Sequence, residues 1–226
     1  MNLERFEALI GDIMLNYIKN LNILIVGIGG VGGYTLESLV RSGVENITII
    51  DFDRIDSSNL NRQILTNTEN IGVLKTDAAI KRSKLINPDV NIKTLDLFLD
   101  ESSINDINLD TYDYVVDACD TLKTKELLIN RCIENNIKII SSMGTAKKLD
   151  ASKLEMTTLD KTSYDPLAKS LRRIINKRYH KKIKVISSKE APIKIKELGS
   201  CSYVPAVAGL LITNYIINDA LKGRNN

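Results

Sequence analysis

The sequence contains few cysteines and no tryptophan. Its three cysteines, Cys119, Cys132 and Cys201, are not regularly spaced and form no CxxC pair. This chain therefore cannot build a four-cysteine zinc site or a disulfide framework. Cys119 and Cys132 fall within strand and helix patterns, which predicts that both are core residues.

The sequence also lacks a long uninterrupted apolar run. Its most apolar stretch, VPAVAGLLITNYIINDAL (204–221), is interrupted by Asn214, Asn218 and Asp219, so no membrane span is predicted. The first twenty residues carry acids early and polar residues throughout, unlike a signal or transit peptide. A hydrophobic content of 43% over 226 residues is enough for a sizeable core. We predict a cytoplasmic protein that does not contact a membrane.

Positive charge is concentrated in one part of the chain. Residues 161–198 contain 12 lysines and arginines against 3 acids, whereas the remainder contains 19 against 25. A basic segment on an acidic body suggests a polyanionic partner, of which nucleic acid is the obvious candidate. The alternative is that the lysine-rich helices are only solvated faces.

Apolar strands alternate with helical segments over the first 145 residues. Near-continuous apolar strands separated by helices are typical of a parallel sheet covered on both faces. We therefore predict an α/β fold, a Rossmann-like doubly wound and mostly parallel sheet. The predicted strands are LNILIVG (21–27), NITIID (46–51), VNIKTLDLFL (90–99), YDYVVDACD (112–120) and IKIISSMG (137–144).

The pattern changes after about residue 150. Three stretches are candidates for short strands: KLEMTTLD, IKVISS and PIKIKEL. A helix is predicted over DPLAKSLRRIINKRYHKK, with Asp165 as N-cap and Pro166 at its first position. Its apolar stripe is predicted to include Ile174, and a long final helix is predicted to follow at 204–221. We expect one domain over 1–226, with 150–226 as a basic C-terminal extension of short strands and helices.

The motif GIGGVG (27–32) follows a predicted strand and precedes a helix, which satisfies GxGxxG in its usual context. Glycine lets the backbone approach a phosphate, and the amide groups at the helix start face the anion. The motif therefore predicts nucleotide binding. An acid at the end of the second strand usually takes the ribose hydroxyls; Asp51 stands there and would serve NAD or ATP equally well. The glycines concerned are Gly27, Gly29, Gly30 and Gly32.

The loop DFDRIDSSNLNRQ (51–63) is crowded with polar side chains. Asn59, Arg62 and Gln63 follow the ribose aspartate, and Lys75 comes at the start of the next helix. An NAD site has its pyrophosphate on the glycine turn and needs no such cluster. Arg62 and Lys75 instead fit a clamp for a triphosphate.

A further strand ends in VVDACD, which places Asp117 and Asp120 at the carboxyl edge of the sheet. Open α/β sheets bind their ligands at this edge. One carboxylate together with nucleotide phosphates is a usual way to hold Mg²⁺.

Four motifs together resemble the ubiquitin-activating-enzyme-like (ThiF/MoeB-type) adenylating superfamily: GIGGVGG, DFDRIDSSNLNRQ, IGVLKTDAA and VDACD. The resemblance covers about residues 20–145, which are the expected nucleotide-binding core. The resemblance implies ATP and Mg²⁺ as cofactors. It also implies a homodimer in which Arg5, in NLERFEAL, enters the partner's site. The other implied roles are Asp51 and Asp53 on the ribose and adenine side, Gly30 at the sugar-phosphate region, Asn59, Arg62 and Lys75 on the phosphates, Gln63 as loop support and Asp120 as the Mg²⁺ ligand.

Within that superfamily, members that activate ubiquitin-like sulfur carriers typically hold zinc with two CxxC pairs, which this chain lacks. The C-terminal part of the chain instead resembles the bacterial tRNA threonylcarbamoyladenosine dehydratases. The resemblance lies in DPLAKSLRRI, the basic stretch after it and LGSCSYVPAVAGLLITNYII. That resemblance implies ATP-dependent cyclisation of N6-threonylcarbamoyladenosine in a tRNA anticodon loop through an acyl adenylate. Because the nucleophile belongs to the substrate, no catalytic cysteine is required, and we interpret Cys201 as a small buried thiol.

Three other functions stay open at this point. They are adenylation of the C-terminus of a ubiquitin-like sulfur carrier, NAD-dependent oxidoreduction, and tRNA binding without catalysis. A monovalent cation and a sulfur-transfer protein partner are also left open. His180, the single histidine, lies in a lysine-rich run, and we interpret it as a surface or RNA-contacting residue rather than a general base.

Overall fold

A computed structural model describes residues 1–223, in which seven strands alternate with seven α-helices. The strands are Asn22–Val26 (β1), Asn46–Ile50 (β2), Asn91–Leu95 (β3), Tyr114–Asp117 (β4), Lys138–Ser142 (β5), Leu154–Thr158 (β6) and Lys184–Ser188 (β7). The helices are Glu4–Ile10 (α1), Asp12–Lys19 (α2), Gly32–Arg41 (α3), Lys75–Ile86 (α4), Leu122–Glu134 (α5), Pro166–Ile174 (α6) and Tyr203–Lys222 (α7).

The seven strands form one sheet in the order β3-β2-β1-β4-β5-β7-β6. All neighbouring pairs are parallel except β6 with β7, so the predicted doubly wound, mostly parallel sheet is confirmed. The strand order reverses between β1 and β4, where Val26 pairs with both Ile50 and Asp117. The loops that follow β1, β2 and β4 therefore meet at one edge, at the topological switch point where such sheets bind ligands.

The central strands are buried on both faces because their apolar runs supply side chains to two cores. Successive residues of a strand point to opposite faces, so Ile23 and Ile25 join one hydrophobic cluster while Leu24 and Val26 join the other. Helices α3 and α7 cover the first face, and α5 and α6 cover the second. This double cover holds the carboxyl ends of the strands in fixed positions.

The final helix lies directly against α3. A methyl group added at Gly209 would lie 2.5 Å from the carbonyl oxygen of Val31, so only glycine permits this approach. The Thr35 hydroxyl donates to the Gly209 carbonyl at 3.2 Å, and the Thr213 hydroxyl donates to the Thr35 carbonyl at 3.3 Å. Among residues 1–223, α7 alone is long and apolar enough to cross a membrane, but 56% of its most apolar window is buried in the fold, as in a core helix.

Two predictions for the C-terminal extension are wrong in detail. PIKIKEL, proposed as a short strand, forms no strand and lies in the connection between β7 and α7. Helix α6 begins as predicted, with the Asp165 carboxylate accepting from the Ala168 amide at 2.9 Å, but it ends at Ile174, which is exposed. A short 3₁₀ turn, Lys177–Tyr179, follows it.

The interpretation of His180 as a surface residue is also wrong. The side chain is buried, and its Nε2 lies 2.9 Å from the Ile175 carbonyl oxygen. The chain doubles back after the 3₁₀ turn, so the imidazole satisfies the carbonyl just beyond the end of α6. His180 is therefore a structural residue.

Candidate active site

The glycine turn after β1 is packed too closely for any side chain at two of its positions. Gly27 has φ +84°, and a methyl group there would lie 3.0 Å from the Ala118 backbone. A methyl group at Gly32 would lie 1.9 Å from the Gly27 carbonyl oxygen. The turn thus rests against the β4 loop that carries Asp120, and without side chains at these positions an anion could approach its backbone.

Gly32→Ala is expected to weaken ATP binding by about 100-fold, because the turn must open to admit the new methyl group. Gly223→Ala is the control, since Gly223 follows α7, outside the site, and a methyl group there meets nothing closer than 3.6 Å. Isothermal titration with ATP measures both affinities. Equal affinities for the two variants would show that the glycine turn does not hold the nucleotide.

Asp51 connects the glycine turn to the loop after β2. Its Oδ2 accepts from the Ile28 amide at 2.8 Å and its Oδ1 accepts from the Asp53 amide at 2.9 Å. Each carboxylate oxygen has a second lone pair, so Asp51 could also accept from ribose hydroxyls. It is a buried organising residue as well as a candidate ligand.

Residues 56–62 form a compact polar loop. Asp56 accepts from the Ser58 amide while the Asn59 Oδ1 accepts from the Asp56 amide at 3.1 Å, which closes a capping box. The guanidinium of Arg62 donates to the Ser58 carbonyl at 2.7 Å and to the Asn61 Oδ1 at 2.9 Å. These bonds use one of its terminal nitrogens, so the Arg62 fork could still bind a phosphate.

Gln63 provides an independent sign of a ligand beside the glycine turn. Its side chain is buried, and its Oε1 has no hydrogen-bond partner within residues 1–223. Buried acceptors in folded proteins are nearly always satisfied. Because its Nε2 lies 3.7 Å from the position of a methyl group on Gly29, a donor bound at the turn could satisfy Gln63.

Lys75 is a buried cation at the first position of α4. Its side chain is 7% exposed, and its ammonium lies 2.6 Å from the Asp53 Oδ2. A cation at a helix N-terminus is disfavoured by the helix dipole and requires an anion. Asp53 supplies that anion here but is itself 48% exposed, so a phosphate could share or replace it. The sequence motifs predict separate roles for these two residues, whereas the structure joins them in an ion pair.

The two aspartates after β4 lie in different environments. Asp117 is fully buried, where it accepts from the Lys125 ammonium at 3.0 Å and from the Ser141 hydroxyl at 2.5 Å. Asp120 is exposed at the edge of the sheet. Residues 1–223 contain no group of three or more Cys, His, Asp or Glu side chains that could hold a metal. A divalent cation here would be held by Asp120 together with phosphate oxygens.

The cysteines are poorly suited to act as nucleophiles. Burial, followed by the nearby Asp117 carboxylate, raises the pKa of the Cys119 thiol far above its usual value, and burial raises the pKa of Cys132 to about 12. Both thiols therefore stay protonated at neutral pH. Cys201 is half-buried, and its Sγ lies 3.6 Å from the Lys148 carbonyl oxygen.

Arg5 lies away from this site within one chain. It is exposed on α1 and lines a surface cavity with Phe6 and Arg41. Arg41 is the last residue of α3, and the glycine turn is at the other end of that helix, about 14 Å away at 1.5 Å per residue. Arg5 therefore lies near the end of α3 that is opposite to the glycine turn.

The switch-point geometry and the glycine turn, with Arg62 near Gly30, define the class of the protein: an α/β protein with a candidate nucleotide site. The chain belongs to the ThiF family, whose sequence model matches residues 3–218, and within it to the tRNA threonylcarbamoyladenosine dehydratases.

Several relatives support this assignment. The tRNA threonylcarbamoyladenosine dehydratase of Bacillus subtilis is 36% identical over 239 residues, which covers 97% of this chain and 94% of that protein. The Haemophilus influenzae enzyme of the same name is 38% identical over 163 residues, which covers 72% of this chain and 62% of that protein. The solved Escherichia coli enzyme in complex with ATP superposes with a TM-score of 0.93 at 29% identity, covering 98% of this chain and 94% of that one. Its AMP complex gives a TM-score of 0.92.

Proposed function

We propose that this protein catalyses the ATP-dependent cyclisation, with loss of water, of N6-threonylcarbamoyladenosine in tRNA. The observation that carries the proposal is the glycine turn with Arg62 and a buried Lys75 beside it, opposite an exposed carboxylate. That arrangement suits a triphosphate whose charge shifts during reaction. The ATP and AMP complexes of the Escherichia coli relative support the same nucleotide.

The reaction has two steps. The threonyl carboxylate attacks the α-phosphorus of ATP, and the bond to pyrophosphate breaks to leave an acyl adenylate. The ureido nitrogen of the same substrate then attacks the activated carbonyl and loses its proton, and AMP leaves as the ring closes. Because both reacting groups belong to one substrate, the protein acts by holding them in contact and stabilising phosphate charge.

Different residues of the site have different proposed roles in this reaction. Asn59, Arg62 and Lys75 would bind the phosphates, while Asp51 and Asp53 would face the ribose and adenine. Mg²⁺, when bound, would neutralise phosphate charge, with Asp120 as its protein ligand. The exposed carboxylate of Asp120 fits such an ion, and the close glycine turn with the unpaired Gln63 oxygen fits the nucleotide that would share it.

The charge distribution supports a tRNA substrate. Of the three acids in 161–198, Asp165 faces inward, where it caps α6 and lies 3.5 Å from the buried Lys148 ammonium. Glu190 accepts from the Leu149 and Asp150 amides. These two carboxylates therefore do little to neutralise the cations of 161–198. Lys189 pairs with Glu155, outside this range, and the cations still outnumber the acids there.

Further parts of the assembly are also proposals. We infer a homodimer in which Arg5 of the partner subunit approaches the phosphates, since Arg5 is too far from the site of its own chain. A monovalent cation and a sulfur-transfer protein partner are consistent with the family. A cytoplasmic location suits a tRNA substrate.

The test is to incubate the purified protein with ATP, Mg²⁺ and tRNA that carries threonylcarbamoyladenosine, followed by nucleoside mass spectrometry under mild conditions. We expect the modified nucleoside to lose one water, with AMP formed in equal amount. Reactions without ATP, and with tRNA that lacks the modification, are the controls. An unchanged nucleoside, together with ATP–pyrophosphate exchange stimulated by a ubiquitin-like protein, would assign the chain to the sulfur-carrier enzymes instead.

A further inference from the structure

Part of the connection between β7 and α7 has a defined backbone conformation. This part is residues 191–199, called the 191–199 segment below. Lys147 anchors it at three points: its carbonyl accepts from the Ile193 amide at 2.7 Å, its amide donates to the Gly199 carbonyl at 2.8 Å, and its ammonium donates to the Ile195 carbonyl at 2.7 Å. The backbone of the segment is therefore held in place by the loop that follows β5.

The side chains of the segment combine cations with exposed apolar groups. Ile193, Ile195 and Leu198 are 40%, 44% and 83% exposed. Lys194 and Lys196 alternate with them, and neither forms an ion pair within residues 1–223. Cationic side chains beside solvent-exposed apolar surface suit a single-stranded nucleic acid, whose phosphates and unstacked bases are both accessible.

The segment lies next to the candidate active site. The carbonyl of Ser200, directly after it, accepts from the Asn61 Nδ2 at 3.1 Å, and the Asn61 Oδ1 accepts from Arg62. Two hydrogen bonds thus connect the end of the segment to the guanidinium proposed to bind phosphate.

Tyr203 adds an aromatic ring at the same place. It is the first residue of α7 and is 47% exposed. Two residues later, Pro205 packs on the glycine turn, 3.2 Å from the position of a methyl group on Gly30. Along the chain, Tyr203 therefore lies between the 191–199 segment and the residue that packs on the glycine turn.

We propose that the 191–199 segment and Tyr203 hold the single-stranded loop of the tRNA around the reacting nucleoside. Lys194 and Lys196 contact phosphates, and Tyr203 stacks on a base. The inference rests on the proposed function, since the nucleoside that reaches ATP beside Arg62 is covalently joined to its neighbours in the loop. Those neighbouring nucleotides must therefore pass over the surface that borders Arg62.

The test is tRNA binding to the full-length protein, measured by fluorescence anisotropy over a range of salt concentrations. We expect the double variant K194E/K196E to bind about 10-fold more weakly, with a slope of log K against log salt lower by about 1 to 2. Tyr203→Ala should also weaken binding about 10-fold, but with an unchanged slope, because stacking releases no counterions. Tyr203→Phe keeps the ring and should bind like the wild type.

The control is K81E/K93E, which makes the same charge change on α4 and β3, at the far edge of the sheet. It should bind tRNA like the wild type, and all the variants should keep the wild-type affinity for ATP.

An unchanged tRNA affinity and salt slope in K194E/K196E, or an equal loss of tRNA affinity in K81E/K93E, would overturn the proposal. So would a change of oligomeric mass without a change in tRNA affinity, which would make the segment an interface between copies. A wild-type protein that neither binds nor dehydrates the modified tRNA would overturn the proposed function itself, and with it this surface.

Discussion

Replacing Asp120 with alanine is expected to lower ATP-dependent dehydration by about 1,000-fold or more while the melting temperature stays unchanged. The carboxylate is exposed at the carboxyl edge of the sheet, so its removal leaves no cavity and no unpaired partner. The loss should fall on the chemical step, because without this ligand the cation that neutralises the phosphates is poorly held. Single-turnover formation of AMP at several Mg²⁺ concentrations measures the effect.

Asp110→Ala is the matched control for this prediction. Asp110 is an exposed aspartate like Asp120, and it lies in a short 3₁₀ turn. Because this turn precedes β4, Asp110 lies at the amino ends of the strands, opposite to the candidate site. Its loss should leave turnover within about 2-fold of the wild type. Asp120→Asn should be nearly as inactive as Asp120→Ala, since the amide keeps the shape of the side chain without its charge. If Asp120→Ala turned over at the wild-type rate, the metal ligand would have to be another carboxylate.

The architecture of the first 145 residues could be predicted because each strand is an apolar run that ends at a polar motif. The strand ends also indicated which polar residues would meet, since parallel strands bring their carboxyl ends to one edge. Asp51, Arg62, Lys75 and Asp120 were expected at that edge for this reason. Their roles toward a nucleotide stay predictions.

The failure at PIKIKEL shows where local patterns stop being informative. Alternation of isoleucine with lysine is typical of a half-buried strand, but a strand also needs a neighbour with a free edge. β7 already pairs with β5 on one side and β6 on the other, and the backbone of residues 192–198 bonds to Lys147 rather than to the free edge of β6. The Lys147 backbone and ammonium hold this stretch as a loop instead, and the isoleucines stay exposed.

His180 was misjudged for a related reason. Its neighbours in the sequence are mostly lysines, and composition alone predicts a solvated residue. Burial comes from the chain reversal after the Asn176-capped turn, which directs the imidazole at the Ile175 carbonyl. Such a reversal is a tertiary event that no local periodicity encodes.

The ion pair between Lys125 and Asp117 was missed, although the sequence contained a signal for it. Lys125 falls on the helical stripe of α5 that continues through Leu128, Ile129 and Cys132, all of them buried. A lysine at an apolar position of such a stripe requires a buried anion. The aspartate at the end of β4 is buried with its strand, and it is the partner found.

Lys125→Met is expected to lower the free energy of unfolding by about 4 kcal/mol, because it leaves the Asp117 carboxylate buried without its cation. The ammonium also donates to the Ser142 carbonyl at 2.8 Å, so it joins the loop that carries Asp120 to the loop after β5. Urea denaturation measures the loss. Lys123→Met, at an exposed position of the same helix, should change stability by no more than about 0.5 kcal/mol.

The double variant Asp117→Asn/Lys125→Met separates stability from positioning. Removing both charges should recover most of the lost stability, since a buried pair replaced by uncharged groups is often close to neutral. Turnover should stay low, with a higher Mg²⁺ requirement, because the loop that carries Asp120 then lacks the Lys125 bonds beside it. Recovery of both stability and turnover would show that the pair only balances its own charges. If Lys125→Met cost no more than Lys123→Met, the Lys125 ammonium would contribute nothing to the stability of the fold.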